Sequence, residues 1–381
     1  MHEHQNPSER SSDIFPRLKS SIHLVPLNSK EFYVGGEVEG IYIPSDPYLA
    51  IARAFTGDNN VQDIAASSAT PLGLVQHFIT ELSAHNFIEL LKQPANQGHL
   101  DESLHQFHQR INPELSVITW RSGNQDGGYG EILHRQTFSI VIFGQTRLAR
   151  ALLATLQAMG FSKSKIFEPP LRSRATVNAL DICGVVTRAE DIGLKHSELH
   201  RKIARLSALS PTAGELSAQP QLPDLLISTT SASADYIQEW MSEGIAHLNI
   251  SQPKGRFLEI GPLVRSGEAS CARCIQLHKR DQVPPFITMA THASVLNNLQ
   301  IELPVASLSF VAGAIATLVS EFARTLHSKL IGHTYLIDLL DPLDSLTGVR
   351  HIFWNKHPEC GCDATWTSDS SLRSDNATIL E

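Results

Sequence analysis

The sequence predicts an α/β protein in two parts, a small winged-helix-like domain followed by a doubly wound, Rossmann-type domain. Three observations carry that reading. Three short β-rich runs precede three helical patterns before residue 91, an apolar strand-helix-strand unit begins near residue 137, and four of the five cysteines stand in two close pairs. With 381 residues, 42% hydrophobic and 18% charged, the chain can bury a substantial core without disulfides. The net charge of -8 and pI near 6.1 offer no general attraction to nucleic acid or an anionic membrane.

"MHEHQNPSERSSD" has no apolar run behind a basic one, so residues 1–20 are expected to be disordered and the chain cytoplasmic. The runs "IHLVPL", "EFYVGG" and "EGIYIP" read as an antiparallel meander. Helices follow in "PYLAIARAFTG", "NVQDIAASS" and "PLGLVQHFITELSAHNF". The last opens on Pro71 behind Thr70 and carries Leu72, Val75, Phe78, Ile79 and Leu82 on one stripe. This places a winged-helix-like domain at 21–91. Between Pro47 and Leu90 Arg53 stands against Asp58, Asp63, Glu81 and Glu89, so these helices are not expected to meet phosphates; an extended peptide beside a strand edge is the compatible ligand.

Residues 92–135, rich in Gln, Asn, His and Gly, read as a linker with little regular structure, their histidines solvated. The second domain is expected over 136–366. "TFSIVIFG", "QTRLARALLATLQAMG" and "KIFEP" form its opening strand, helix and strand; "PDLLISTTS", "SADYIQEWMSEG" and "AHLNISQ" repeat the alternation. "VASLSFVAGAIATLVSEFARTL" is broken by Glu321 and Arg324 short of the about 20 residues that span a bilayer, and reads as a buried helix. Residues 367–381 are expected to be a disordered tail.

The first strand-to-helix turn reads "GQTRLA" where a dinucleotide site has G-x-G-x-x-G. Gly144 keeps the first glycine, but Thr146 puts a β-branched side chain where phosphate needs bare backbone. Glu168, at the end of the second strand, stands where an acid would hold a ribose. Gly144 and Glu168 are therefore vestigial nucleotide-site candidates, structural use of the fold being the favoured reading. A nicotinamide-dependent oxidoreductase shares only these features.

Cys271 and Cys274 in "SCARC", with Cys360 and Cys362 in "ECGCD", supply four thiolates, the set that closes a tetrahedral structural zinc; Cys183 stands alone. Four thiolates leave no open position for a catalytic water. The alternative, a redox pair, wants Cys-x-x-Cys opening a helix after a thioredoxin-like strand.

On these residues the chain resembles a known family. "EIGPLVRSGEASCARCIQLHKRD" is similar to the segment of ThiF-like, ubiquitin-activating-enzyme-like proteins that carries half a zinc site, with "CGC" as the other half. The branch it matches is the partner protein of YcaO cyclodehydratases, which form azolines and azoles in ribosomally made peptides such as bacteriocins. The three strands and three helices resemble the PqqD-like leader-peptide recognition domain of those partners. The resemblance implies a non-catalytic chain that binds a precursor leader peptide and presents it to a separate YcaO enzyme, with one structural zinc and a homodimer as an open option. On this reading the leader adds along "EGIYIP", with Ile41, Ile43, Leu72, Val75 and Phe78 as the peptide-binding positions.

Active superfamily members hold ATP and magnesium with aspartates and an arginine. Here Asp224 opens "DLLISTTSAS", but Thr229, Thr230 and Ser231 stand where the second aspartate falls, and only Arg172 and Arg174 match the arginine by position. Adenylation is therefore not expected, although an ATP-dependent adenylyltransferase remains the alternative.

Overall fold

The structure, a computed structural model, describes residues 14–92, 94, 102–121, 126–167, 176–207, 222–230, 232, 234–289, 302–344, 346 and 348–363. The chain divides into two compact units, Met1–Leu133 and His134–Glu381.

In the first unit, β1 (Phe15–Leu18) is followed by the meander β2 (His23–Pro26), β3 (Glu31–Gly35) and β4 (Gly40–Pro44), with β2 and β4 at its edges. Alternation along β3 sends Phe32 and Val34, both 0% exposed, to the core. Three helices cover that side: α1 (Tyr48–Arg53), α2 (Val61–Ser67), capped by Asn60 on the Asp63 amide, and α3 (Leu72–Ala84). β5 (Ile88–Leu91) then returns to pair antiparallel with β1.

Two expectations are corrected here. Residues 14–20 include strand β1, because β5 supplies a partner more than sixty residues away in sequence. The expected linker contains α4 (Glu102–Ile118) and the start of α5 (Tyr129–Thr137). Ile111, Leu115 and Ile118 of α4 recur at helical spacing and are buried, a stripe diluted in sequence by Gln, His and the internal Pro113. The expectation for 367–381 lies outside the described residues.

The second unit holds a seven-stranded sheet in the order β12-β11-β10-β9-β8-β6-β7. β6 (Ile140–Phe143), β7 (Ser164–Phe167), β8 (Leu225–Ser228) and β9 (His247–Ile250) are mutually parallel. The antiparallel β10 (Phe257–Val264), β11 (His333–Asp338) and β12 (Val349–Phe353) extend the sheet. Alternation along β6 and β8 covers both faces: Ile140, Ile142, Leu225 and Ile227 meet α6 (Arg147–Ala158), α7 (His196–Ser207) and α10 (Val305–Thr325). Phe143 and Leu226 meet Trp240 of α8 (Ala234–Ser242) on the other side. α9 (Ala272–Gln282) carries the first cysteine pair.

α10 runs 21 residues through both Glu321 and Arg324, as the buried helix that the segment was expected to form. By length and composition it could cross a membrane, but Leu308, Val311, Ile315 and Val319 pack into the sheet's main core, as in the core helix of a soluble domain.

Phe78 is fully buried against Phe55 and Tyr48. Phe78→Ala should lower the stability of the first unit by about 3–5 kcal/mol, whereas Leu72→Ala, at a position 38% exposed, should change it by about 0.5 kcal/mol or less. Chemical denaturation followed by circular dichroism checks both.

Candidate functional site

β6 leads to β7 on one side and the chain then crosses to β8 on the other, so the carboxyl ends of β6 and β8 form the topological switch point where ligands of such sheets bind. Gly144 leaves β6 at φ +121°, the left-handed region that favours glycine. A Cβ there would meet the Thr229 hydroxyl at 2.7 Å. The glycine is thus used for close approach to the chain's own β8 loop.

The Thr146 hydroxyl donates to the Thr229 hydroxyl at 3.0 Å, which donates to the Phe143 carbonyl at 3.2 Å. The same Thr146 oxygen accepts the Ala149 amide at 2.9 Å, capping α6. Both threonines are buried. The Arg147 amide, a donor that in a nucleotide site faces phosphate, donates instead to the Glu302 carboxylate at 3.0 Å. Burial holds the Glu302 carboxyl above its usual range, against the pull of the Arg147 amide and Arg150. An internal anion thus occupies the helix end.

Below this closure lies a network that sequence reasoning missed. Arg150 is 0% exposed, and its guanidinium donates to Asp181 at 2.8 Å and the Gln145 carbonyl at 3.2 Å, and meets His196 Nδ1 at 2.9 Å. His200 stacks near His196 and is pushed down to about 3, by burial first and then by Arg150 and His196. Lone polar residues scattered through "RALLATL", "ALDIC" and "KHSELHRK" give no spacing signal that would have joined them.

Asp224 is also committed. Its carboxylate accepts the Ser139 amide at 2.7 Å where the strands begin, at the amino end of β6 and β8 rather than at the switch point. Among the described residues, no second carboxylate joins it there. Glu168, Arg172, Arg174 and Ser231 lie outside the described residues.

The cysteines converge as expected. Cys271 is the N-cap of α9 and Cys274 lies in its first turn, where the helix dipole favours thiolates; Cys360 and Cys362 flank Gly361. Sulfur separations are 3.8 Å for Cys271 and Cys274, 3.5 Å for Cys271 and Cys360, and 3.4 Å for Cys274 and Cys362, and all four lie within 4.8 Å of one another. A tetrahedral ion with sulfur at about 2.3 Å separates its ligands by about 3.8 Å. The four thiols therefore fit a metal ion.

The His357 amide donates to Cys274 Sγ at 3.3 Å, while the ring contacts Asp281 at 2.8 Å and accepts the Glu359 amide at 3.1 Å. His357 thus supports the cluster without being a ligand. Burial pushes the Cys271 thiol up to about 11 and raises Cys362 as well. Taking a metal must displace such protons, so affinity rises with pH.

The peptide-binding positions divide. Ile43, Val75 and Phe78 are buried in the core of the first unit and are corrected to packing residues. The stripe that made them visible in sequence is the stripe that faces the core. Ile41, half-buried on the edge strand β4, and the exposed Leu72 remain accessible.

His200 gives a pH dependence. The unfolded chain takes up a proton below about pH 6.5, whereas the native ring resists it down to about 3; its contribution is present above about pH 6.5 and lost as pH falls through that window. The facing groups are Arg150, His196 and Asp181, and the Glu302 carboxyl, held high, works in the opposite direction. Stability at about pH 5 should be about 2 kcal/mol lower on account of His200, and His200→Gln should flatten the profile of midpoint against pH. Elemental analysis of the full chain should find about one metal ion, lost in Cys362→Ser together with several degrees of the second unit's melting temperature.

No protein-family model matches the sequence, and no curated protein matches it. Solved structures do share its fold. E. coli MccB with AMPCPP and MccA aligns at a TM-score of 0.62 and 12% identity, over 92% of this chain and 99% of that one. The microcin C7 biosynthetic enzyme MccB in complex with N-formylated MccA gives 0.60 and 11%, over 91% and 99%. PaaA gives 0.57 and 14%, over 89% and 100%. Identities this low establish the fold alone: the chain is built as MccB and PaaA are built, along nearly their full length.

Proposed function

We propose that this chain binds the leader peptide of a ribosomally synthesised precursor and presents it to a separate YcaO cyclodehydratase, without adenylating the peptide itself. The observation that carries the reading is the closure of the switch point by Thr146, Thr229 and Glu302. A triphosphate there needs the α6 amides and a cation, and the chain has committed the amides to its own oxygens.

Likeness to a microcin biosynthetic enzyme captured with MccA supports a role in peptide modification. Other MccB structures hold ATP or AMPCPP, which is why adenylation is the alternative to be tested. On the proposed reading the peptide function is kept and the nucleotide function is gone. The leader adds as a strand along the free edge of β4, beside Ile41 and Leu72, gaining backbone bonds for affinity and side-chain pockets for specificity. Its core segment is then held at raised effective concentration beside the partner enzyme. Zinc in the four-cysteine site fastens the carboxyl-terminal segment to α9, and homodimerisation is compatible with this arrangement.

A fluorescently labelled leader from a neighbouring precursor gene should bind the full chain saturably, with Ile41→Asp weakening it at least about tenfold, roughly 1.4 kcal/mol. Exchange of pyrophosphate into ATP should stay at background with that precursor present. Robust exchange would establish the adenylyltransferase instead, and absence of binding to any such leader would remove the delivery role.

A further inference from the structure

An antiparallel sheet with one face on a core ordinarily turns polar side chains to water on the other. Across its middle row the β2-β3-β4 sheet does not. Strand register sets Val25 opposite Tyr33 and Tyr33 opposite Tyr42, an apolar row across all three strands on the side away from Phe32 and Val34. Val25 is 44% exposed and Tyr42 70%. The next row sets Glu31 against Pro44, with the exposed Leu27 bonded to the Glu31 carbonyl at the β2 end; the row on the other side sets His23 against Gly35 and Gly40.

The row is held in place before any partner arrives. Tyr33 donates to the Gly36 carbonyl at 2.7 Å, lies against Gly40, and meets Tyr42 edge to face at 5.5 Å. Rigid tyrosines give contact area with little entropy left to lose, which suits them to recognition. Charges around the face are mostly of one sign: Glu31, Glu37 and Glu39 are exposed there, against Lys30.

Size selects the partner. Three strands about 4.8 Å apart, of four to five residues at about 3.4 Å each, make a face about 10 Å wide and about 14–17 Å long. That is the footprint of one α-helix of about three turns, and far below the about 800 Å² that each member of a stable globular pair buries. Strand addition uses the edge of β4 and leaves this face free.

We propose that the outward face of the β2-β3-β4 sheet is a docking surface for a short, basic amphipathic helix of a second protein. Apolar side chains of the helix cover Val25, Tyr33 and Tyr42, and its flanking cations meet Glu37 and Glu39. This surface is independent of the leader edge.

The test uses the full-length chain and an 18-residue Leu/Lys amphipathic helix as probe, with its Leu/Glu counterpart as control. The Leu/Lys helix should bind saturably, at least about tenfold more weakly to Tyr42→Ser or Val25→Ser, and more weakly to the Glu37→Lys, Glu39→Lys double variant; the Leu/Glu helix should not bind. Circular dichroism should show the fold unchanged, since the replaced side chains face water. Absence of binding, or equal binding to wild type and the two Ser variants, overturns the proposal. So does self-association of the wild type that Tyr42→Ser abolishes, which would assign the face to a second copy.

Discussion

The hydrogen bond from Thr146 to Thr229 ties the loop leaving β6 to the loop leaving β8, at the place where this type of sheet otherwise opens for a ligand. Much of the second unit follows from that closure. Gly144 must lack a Cβ because Thr229 is already there, and α6 is capped by the same hydroxyl that closes the gap. Glu302, just ahead of α10, accepts the Arg147 amide at the α6 terminus. Donors that a polyanion there would use are bonded to groups of the chain itself. This removes the cost of leaving helix amides bare in a buried place.

The four-cysteine cluster does complementary work at the other end of the sheet. Residues 354–362 follow the edge strand β12 and are fastened by several polar contacts, among them His278 to the Asn355 carbonyl, His357 to Asp281 and Arg280 to Glu359. Trp354 donates to Thr334 at 2.9 Å and lies under Lys279, and two residues of this segment, Cys360 and Cys362, reach the start of α9. A cross-link between segments so distant in sequence removes more chain entropy than a local contact can, and a metal held by the four thiols would supply that link. Under the proposed function the cysteines bear on the stability of the second unit and not on its chemistry.

How much of this was legible in the sequence depended on the range of each interaction. The continuous apolar run of β6 and the paired cysteines are local signals: the first became a strand of the sheet, and the second converge within 4.8 Å of one another. β1 was invisible because its partner β5 lies more than sixty residues away in sequence, and a four-residue strand has no pattern of its own. α4 was obscured by Pro113 and by polar neighbours that dilute a stripe of three buried residues. The strands β10 to β12 gave no topology: α9 and α10 lie between β10 and β11, yet those two strands pair antiparallel, which a helix between strands does not announce. Val75 and Phe78 show a different limit: helical periodicity reports which face is buried, and a ligand and a core leave the same stripe. The switch point was half legible, since Thr146 announced that phosphate had no room, while Glu302, over 150 residues away in sequence, gave no sign of filling the place.

That asymmetry bears on how a fold persists while its chemistry changes. The sheet is specified by dozens of alternating apolar positions, such as Ile140, Ile142, Leu225 and Ile227, which many apolar residues satisfy. A nucleotide site is specified by a few groups at fixed places, and under the proposed function two hydroxyls and one carboxylate suffice to close it. Alignment over nearly the whole chain at 11 to 14% identity is the expected result of the first kind of constraint acting without the second. Under the proposed function, selection on this chain has moved from the switch point to the surfaces of the first unit. There the exposed positions, Leu72 on α3 and Val25 and Tyr42 across the sheet, contribute less to packing than the core does and are free to be shaped by what they bind, while the half-buried Ile41 is shared between the core and the β4 edge.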